Sequence, residues 1–242
     1  MIRSIKVLRS KAFSSAVVAF LFLNRSMMVA EGSPKYEPAD HLLPADPEIL
    51  GNKYVAILKE KLCVTPFDEG RVLILPAFAG EESLSVYSQR RDKGHQLHYV
   101  TYLAASENLS DRTGSGRYPQ EAKNVRIRRI DAEIPERTAK LVKRGWFEAL
   151  AHTRPLSKSE RALELVFTDA AEAQFSLSEP HRTLSGRTVM APGRLGRRMN
   201  ELVAITDLLR AYCKSKPADR PVIAAKIESE STRALKLLMQ TR

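Results

Sequence analysis

The chain has few of the residues and none of the short motifs from which common active sites are built. Its 242 residues include two cysteines, Cys63 and Cys213, one tryptophan and five histidines. No HExxH, CxxC or CxxCH pattern occurs, which excludes those zinc, thiol–disulfide and haem motifs. No glycine precedes a lysine, and neither GxSxG nor SxxK is present, so P-loop and two serine-hydrolase signatures are missing. We therefore expect no metal and no cofactor.

The sequence also lacks a hydrophobic run long enough to cross a bilayer. The main apolar stretch, residues 12–23, is shorter than the ~20 residues that a membrane helix needs. Basic residues precede this stretch, and Met28-Val29-Ala30 follows it. That order is typical of a secretory signal peptide, which we predict over residues 1–30. We expect no transmembrane segment after its removal; the alternative is an apolar N-terminal helix of a cytosolic protein.

The net charge is strongly positive, but much of it lies in the predicted signal. The chain carries +11; five of its 39 basic residues and none of its 28 acidic residues lie in residues 1–30, which leaves +6. This moderate charge favours an acidic protein partner or an anionic component of the cell envelope. Nucleic acid is not expected, because its binding requires clustered charge. If the chain is not exported, the alternative is a basic nucleic-acid-binding protein.

Export has a consequence for the two cysteines. In an oxidising compartment, two cysteines most simply form one disulfide. We therefore predict a bridge between Cys63 and Cys213, which would tie an early helix to a late one. The alternative is two buried free thiols that pack as small hydrophobic groups.

The hydrophobic pattern predicts an α+β fold. Helices are expected where apolar residues recur every three or four positions, and strands where apolar and polar residues alternate. The alternating stretches indicate an antiparallel sheet of about five strands, and the first three of them form a meander. Predicted strands cover residues 71–78, 84–89, 97–103, 123–134 and 172–178, with a short one near 163–167. The three packed helices cover residues 47–62, 135–152 and 194–214.

These elements define a single domain with two flanking segments. A Pro-rich leader, residues 31–46, precedes an α+β domain over residues 47–216, and a C-terminal helical tail covers residues 217–242. In the strand at 123–134, the apolar alternation changes phase at Arg128-Arg129, which predicts a β-bulge. The Ser185-Gly186 pair is interpreted as a turn.

Arginines are concentrated in two short stretches of the chain. If the strand that holds the first stretch lies beside the helix that begins with the second, six guanidinium groups form a surface for an anion or an acidic partner. The alternative is a scattered, solvated set of side chains. The six residues are Arg126, Arg128, Arg129, Arg194, Arg197 and Arg198.

Several longer stretches carry a resemblance. They are SVYSQRRDKGHQLHYVTYLAASENL, then AEIPERTAKLVKRGWFEALAHTR, then LSGRTV before a helix that closes in LLRAYC. In this order they resemble a family of small exported bacterial proteins of uncharacterised function. The resemblance covers about residues 58–213, and it implies an exported α+β domain without implying an activity.

Together these features predict an exported, non-enzymatic binding protein of the cell envelope, periplasmic or secreted. Its expected partner is acidic, and one specific form is an immunity-type protein that blocks a toxin. The alternative is an envelope hydrolase whose active site is assembled from residues distant in sequence. The candidates for that site are Asp131, Glu133, His181 and Ser185.

Overall fold

An antiparallel sheet forms the centre of the molecule. The computed structural model describes residues 39–45, 52–63, 70–76, 79–90, 96–109, 124–157, 170–179, 181–190 and 195–240, all within one unit, Glu37–Arg242. The strands in these ranges are β1 (Gly70–Leu75), β2 (Glu82–Arg90), β3 (Gln96–Ala105), β4 (Ile127–Glu133), β5 (Ala171–Glu179) and β6 (Arg182–Met190). Their order is β4-β3-β2-β1-β5-β6, and every neighbouring pair is antiparallel.

Four α-helices accompany the sheet within the described ranges. They are α1 (Asn52–Leu62), α2 (Glu136–Ala151), α3 (Arg197–Lys214) and α4 (Arg220–Met239). The predicted α+β class and antiparallel sheet are confirmed, with six strands where about five were expected and four helices where three were expected. None of these described helices combines the length and the apolar character that a membrane span requires.

One face of the sheet is covered by α2 and α3. Alternate strand residues, such as Val72 and Val86, point into this main core together with the buried faces of both helices. Trp146 of α2 meets Phe175 of β5 edge to face, with ring centroids 6.1 Å apart. Helix α4 packs mainly on α2 and α3, which makes it an outer layer over them.

The opposite face of the sheet is partly covered by α1. Leu58 and Leu62 lie in a second buried cluster with Leu73 and Leu103 of the sheet. The fully buried Glu81 carboxylate fastens this layer. It accepts a hydrogen bond from the Tyr54 hydroxyl at 2.6 Å and another from the backbone N–H of Leu109 at 2.7 Å.

The end of the predicted Pro-rich leader is part of the folded domain. Leu42 is fully buried in the main core, and Leu43 forms an isolated antiparallel bridge with Arg187 of β6. The Asp40 carboxylate accepts hydrogen bonds from the backbone N–H groups of Arg198 and Met199, at 2.6 and 3.4 Å. Asp40 thus caps the N-terminus of α3 from a distant part of the chain. Residues 39–45 therefore pack in the same compact unit as the sheet.

The predicted bulge in β4 is wrong. The pairing of β3 with β4 is uninterrupted, from Tyr99 opposite Glu133 to Ala105 opposite Ile127. The apolar phase changes because β4 buries residues on both faces of the sheet. Ile127 packs against the α1 cluster, whereas Ile130 and Ala132 belong to the main core.

The predicted disulfide is also wrong, since both cysteines are free thiols. Cys213 lies in the main core, where its thiol contacts the carbonyl oxygen of Val100 at 3.9 Å. Cys63 follows α1 on the opposite face of the sheet, beside Arg71. The sheet separates the two thiols, and a bridge requires Cα atoms within about 7 Å.

The strand predicted over 172–178 is β5, which forms a hairpin with β6. Ser185 and Gly186, expected in a turn, lie inside β6, where Gly186 is the neighbour of Phe175. A β-carbon at Gly186 would come within 2.9 Å of the Leu42 side chain, so this strand position requires glycine. The strand predicted near 163–167 lies outside the described residues.

The segment predicted as a C-terminal tail contributes a helix, α4, to the core. Its buried residues recur at helical spacing and face α2 and α3. They include Ala224, Ile227, Ala234, Leu235 and Leu238.

Candidate anion-binding cavity

One row of neighbouring residues on the α1 face is polar in every strand of the sheet. Residues in register on adjacent strands point to the same face, so the row is a continuous polar band. Arg71 is the member of this row on β1, the strand between β2 and β5. From β4 to β6 the band consists of Asp131, Thr101, Ser85, Arg71, Ser176 and Ser185.

A cavity of about 320 Å³ lies between this band and α1, and we call it the α1 cavity. Helix α1 supplies Val55 and Lys59, and Cys63 follows the helix at the same spacing of four residues. Residues four apart lie on one face of a helix, which explains why all three reach the cavity. The sheet lines the other side with Arg71, Leu73, Gln174, Phe175, Ser176 and Ser185, and Ala45 and Leu58 complete the described lining.

Arg71 is the central charged group of the α1 cavity. Its side chain is half-buried, and its Nε donates a weak hydrogen bond to Ser85 Oγ at 3.4 Å. Burial lowers the pKa of the guanidinium, with a smaller opposing effect from the Cys63 thiol. Arginine nevertheless stays protonated in folded proteins, so the cavity contains a permanent positive charge.

The Cys63 thiol is a neutral member of the lining. Burial raises the pKa of this thiol above its ordinary value, although Arg71 and Lys59 act in the opposite direction. The thiol therefore remains protonated at neutral pH and does not neutralise the neighbouring guanidinium.

The electrostatic character of the α1 cavity is positive. Lys59 and Arg71 are cationic, and none of the described lining residues is acidic. Outside the lining, the Glu172 carboxylate accepts a hydrogen bond from the Gln174 amide at 2.8 Å and pairs with Arg187 at 3.0 Å. Glu172 is thus already engaged by two donors. The cavity therefore offers a half-buried cation together with hydroxyl and amide groups, which is the chemistry of an anion site.

The other end of the polar band is a self-contained ionic cluster. Asp131 pairs with Arg129 at 2.8 Å and accepts a hydrogen bond from Thr101 at 2.5 Å. Although burial opposes ionisation, Arg129 and Thr101 hold the pKa of Asp131 below its usual range. Next to it, Tyr87 and Tyr99 stack with ring centroids 5.6 Å apart. Arg129 is consequently satisfied within the sheet.

The predicted arginines that the structure describes do not all lie on one surface. Arg128 and Arg129 are consecutive residues of the edge strand β4, so their side chains point to opposite faces. Arg198 is at the start of α3, where it contacts Leu237 of α4 and Asp40. Of the remaining three, Arg126 precedes β4 and is exposed, Arg197 is exposed on α3, and Arg194 lies outside the described residues.

The residues considered for a hydrolase are also dispersed. Asp131 and Ser185 belong to the same polar band, but they are on β4 and β6, the two edge strands of the sheet. With strands about 4.8 Å apart, five intervals separate them by roughly 24 Å. Glu133 is on β4 beyond Asp131, and the exposed His181 is in the β5–β6 connection.

Sequence reasoning missed the α1 cavity, although one signal for it was present. Arg71 is a single charged residue at the start of the apolar stretch that forms β1. Gln174 and Ser176 alternate with the buried Ala173 and Phe175, as expected for a strand with one polar face. The pairing of β1 with β5 places these groups together, and this register is not encoded locally.

Comparison with known proteins finds no matching family model, no matching curated protein and no matching solved structure. The resemblance to small exported bacterial proteins therefore stays a prediction. The functional argument rests on the geometry and charge of the α1 cavity.

Proposed function

We propose that the protein is an exported binding protein of the cell envelope that holds an anionic group of its partner in the α1 cavity. The charge of the lining carries this proposal, since Arg71 and Lys59 are cationic and no described lining residue is acidic. The partner is an acidic protein, as for an immunity-type protein, or an anionic envelope component.

The environment of Arg71 supports recognition of a carboxylate or phosphate. A guanidinium presents paired N–H donors that match two oxygens of such groups. Its half-buried position lowers the local dielectric, which strengthens its attraction for an anion relative to that of an exposed arginine. The Ser176 and Ser185 hydroxyls line the same cavity and provide additional hydrogen-bond donors.

The proposed compartment is supported by the sequence of residues 1–30, with its basic start and short apolar run. The resemblance to a family of small exported bacterial proteins supports the same compartment. A binding role is preferred to the hydrolase alternative because the four candidate catalytic residues are spread from one sheet edge to the other.

Anion binding by the mature protein tests this proposal. The melting temperature of a protein that starts at residue 31 is measured by scanning calorimetry with increasing sodium acetate or sodium phosphate, at constant ionic strength with chloride. A ligand that binds only the folded state stabilises it by mass action. We expect at least one of the two anions to raise the melting temperature. Arg71→Met is expected to weaken the binding of that anion at least about tenfold, because it removes a charged hydrogen-bond donor.

The matched control is Arg144→Met, which removes the same charge from an exposed position on the helix side of the sheet. The control is expected to respond to the anion like the unchanged protein. Equal weakening in both variants would mean that net charge, rather than the α1 cavity, determines the response. No response to either anion in the unchanged protein would rule out the proposed site.

A further inference from the structure

We infer that the ligand group of the α1 cavity is amphipathic: an anionic head joined to a short apolar tail. This inference rests on the proposed function and narrows it to a class of ligand. It follows from the division of the cavity lining into a polar half and an apolar half.

The polar half lies mainly on the sheet. Arg71, Gln174 and Ser176 are half-buried, and Ser185 is exposed at the rim with Lys59. A carboxylate or phosphate placed against Arg71 would remain close to these donors and to solvent at the rim. The head of the ligand is therefore assigned to this side.

The apolar half lies mainly on α1. Val55 and Leu58 come from the helix, and Leu73 faces them from β1. Leu58 and Leu73 are buried, so this side is the floor of the cavity. A ligand made only of charge would leave the half-buried Val55 against water, whereas an apolar tail would cover it.

The size of the cavity limits the length of the tail. A volume of about 320 Å³ is near the lower end of the range for small-molecule sites. At about 30 Å³ for each water-sized group, this corresponds to roughly ten non-hydrogen atoms. A carboxylate with seven further carbons has that size, which makes octanoate a suitable probe.

Isothermal titration with a series of probes tests the inference on the mature protein. The series comprises octanoate, pentyl phosphate, acetate, inorganic phosphate, 1-octanol and octylammonium, each below the concentration at which it self-associates. We expect octanoate or pentyl phosphate to bind at least about a hundredfold more tightly than acetate or phosphate, because each buried methylene contributes about fourfold. Whichever of the two binds more tightly identifies the head. Octylammonium is expected not to bind.

Two variants separate the head from the tail. Arg71→Met is expected to reduce the affinity for octanoate to that for 1-octanol. Val55→Trp fills the apolar half from a half-buried helix position and is expected to abolish octanoate binding while acetate or phosphate still binds. Far-ultraviolet circular dichroism checks that each variant is folded.

The possible failures are distinguishable. If the short anions bind as tightly as octanoate and Arg71→Met abolishes both, the amphipathic inference is overturned and the proposed anion site stands. If none of the anions binds, both are overturned. Octanoate and octylammonium could bind equally tightly, or octanoate could bind Arg71→Met as tightly as the unchanged protein. Either result would show apolar adsorption without recognition of the head, and would overturn both the amphipathic inference and the proposed anion site.

Discussion

At the scale of single residues, the two thiols show how the side of the sheet on which a residue packs determines its chemistry. Cys63 lines the α1 cavity beside Arg71, which partly offsets the effect of burial on its pKa. Cys213 lies in the main core, and burial there raises the pKa of its thiol to about 12. Cys63 is therefore the thiol that a ligand can approach, whereas Cys213 acts as a small apolar side chain.

The raised pKa of Cys213 predicts a loss of stability in alkali. The unfolded chain releases this proton near its ordinary pKa of 9.0, whereas the folded protein retains it until about 12. Its contribution is therefore complete below about pH 9 and is lost as the pH rises from 9 towards 12, by up to about 1.4 kcal/mol per pH unit. Cys213→Ala is expected to show a shallower decline of the unfolding free energy over this range. Urea titrations at pH 8, 9.5 and 10.5 measure the difference.

Comparing the unchanged protein with Cys213→Ala also controls for other groups that titrate in alkali. Burial raises the pKa of Tyr102 and of Tyr212 too, so both proteins share whatever alkaline instability these side chains cause. Only the difference between the two slopes reports on Cys213. Parallel slopes for the unchanged protein and Cys213→Ala would contradict the assigned thiol environment.

At the scale of elements, buried hydrogen bonds to the Glu81 carboxylate hold α1 above the sheet. The carboxylate joins Tyr54 of α1 to the chain after β3. Ser83 of β2 adds a third link by donating to the carbonyl oxygen of Leu62 at 2.7 Å. Since α1 forms one side of the α1 cavity, these links also maintain the proposed site.

Removal of the Glu81 carboxylate is expected to be among the more damaging single changes. Glu81→Ala removes the acceptor of the half-buried Tyr54 hydroxyl and of the buried Leu109 N–H, which costs about 3 kcal/mol. Tyr54→Phe removes only one donor and is expected to cost about 1 kcal/mol. Equilibrium urea unfolding measures both values. A cost for Glu81→Ala no larger than that for Tyr54→Phe would show that the carboxylate does not organise this layer.

The Asp40 carboxylate stabilises the start of α3. The first turn of this helix contains Arg197 and Arg198, whose charges oppose the helix dipole. The Asp40 carboxylate offsets this by accepting hydrogen bonds from two backbone N–H groups of that turn. Asp40→Ala is therefore expected to destabilise the protein by about 1 kcal/mol, as for loss of an N-cap. Thermal unfolding of Asp40→Ala measures this loss.

The matched control for the cap is Asp207→Ala. Asp207 is an exposed residue later in α3, and it pairs with Arg210 three residues further along the same helix. Its removal is expected to change stability by no more than about 0.5 kcal/mol. Equal effects at Asp40 and Asp207 would mean that the cap contributes nothing beyond a surface charge.

The elements also show which patterns can be interpreted from sequence. α2 was predicted to within one residue at each end, because its apolar stripe is regular and Pro135 precedes it. The pattern of β4 was misinterpreted as a bulge. A strand is expected to keep one phase of apolar alternation only if it buries one face, and β4 buries side chains on both faces of the sheet. β6 was missed because the pattern of a turn, Ser185-Gly186, lies inside a strand that needs glycine for close packing.

At the scale of the whole molecule, the sheet separates two different environments. Helices α2 and α3 cover one face, with α4 outside them, while α1 covers only part of the other. The second face can therefore keep a polar band and a cavity, whereas the first packs into the main hydrophobic core. The fold class could be inferred from local patterns, but the α1 cavity could not. It depends on the pairing of β1 with β5, which joins residues far apart in the chain.

The same separation of faces gives a prediction for the protein in its native compartment. If residues 1–30 are a signal peptide, protein purified from its native host is expected to begin near Glu31. Because the sheet holds Cys63 and Cys213 on opposite faces, both thiols are expected to stay free even in an oxidising compartment. Intact mass after alkylation without reductant measures both properties. Cys63 is expected to react in the folded protein, and Cys213 only in urea. A protein that retains Met1 would contradict export, and failure of both thiols to react in urea would contradict the placement of the two cysteines.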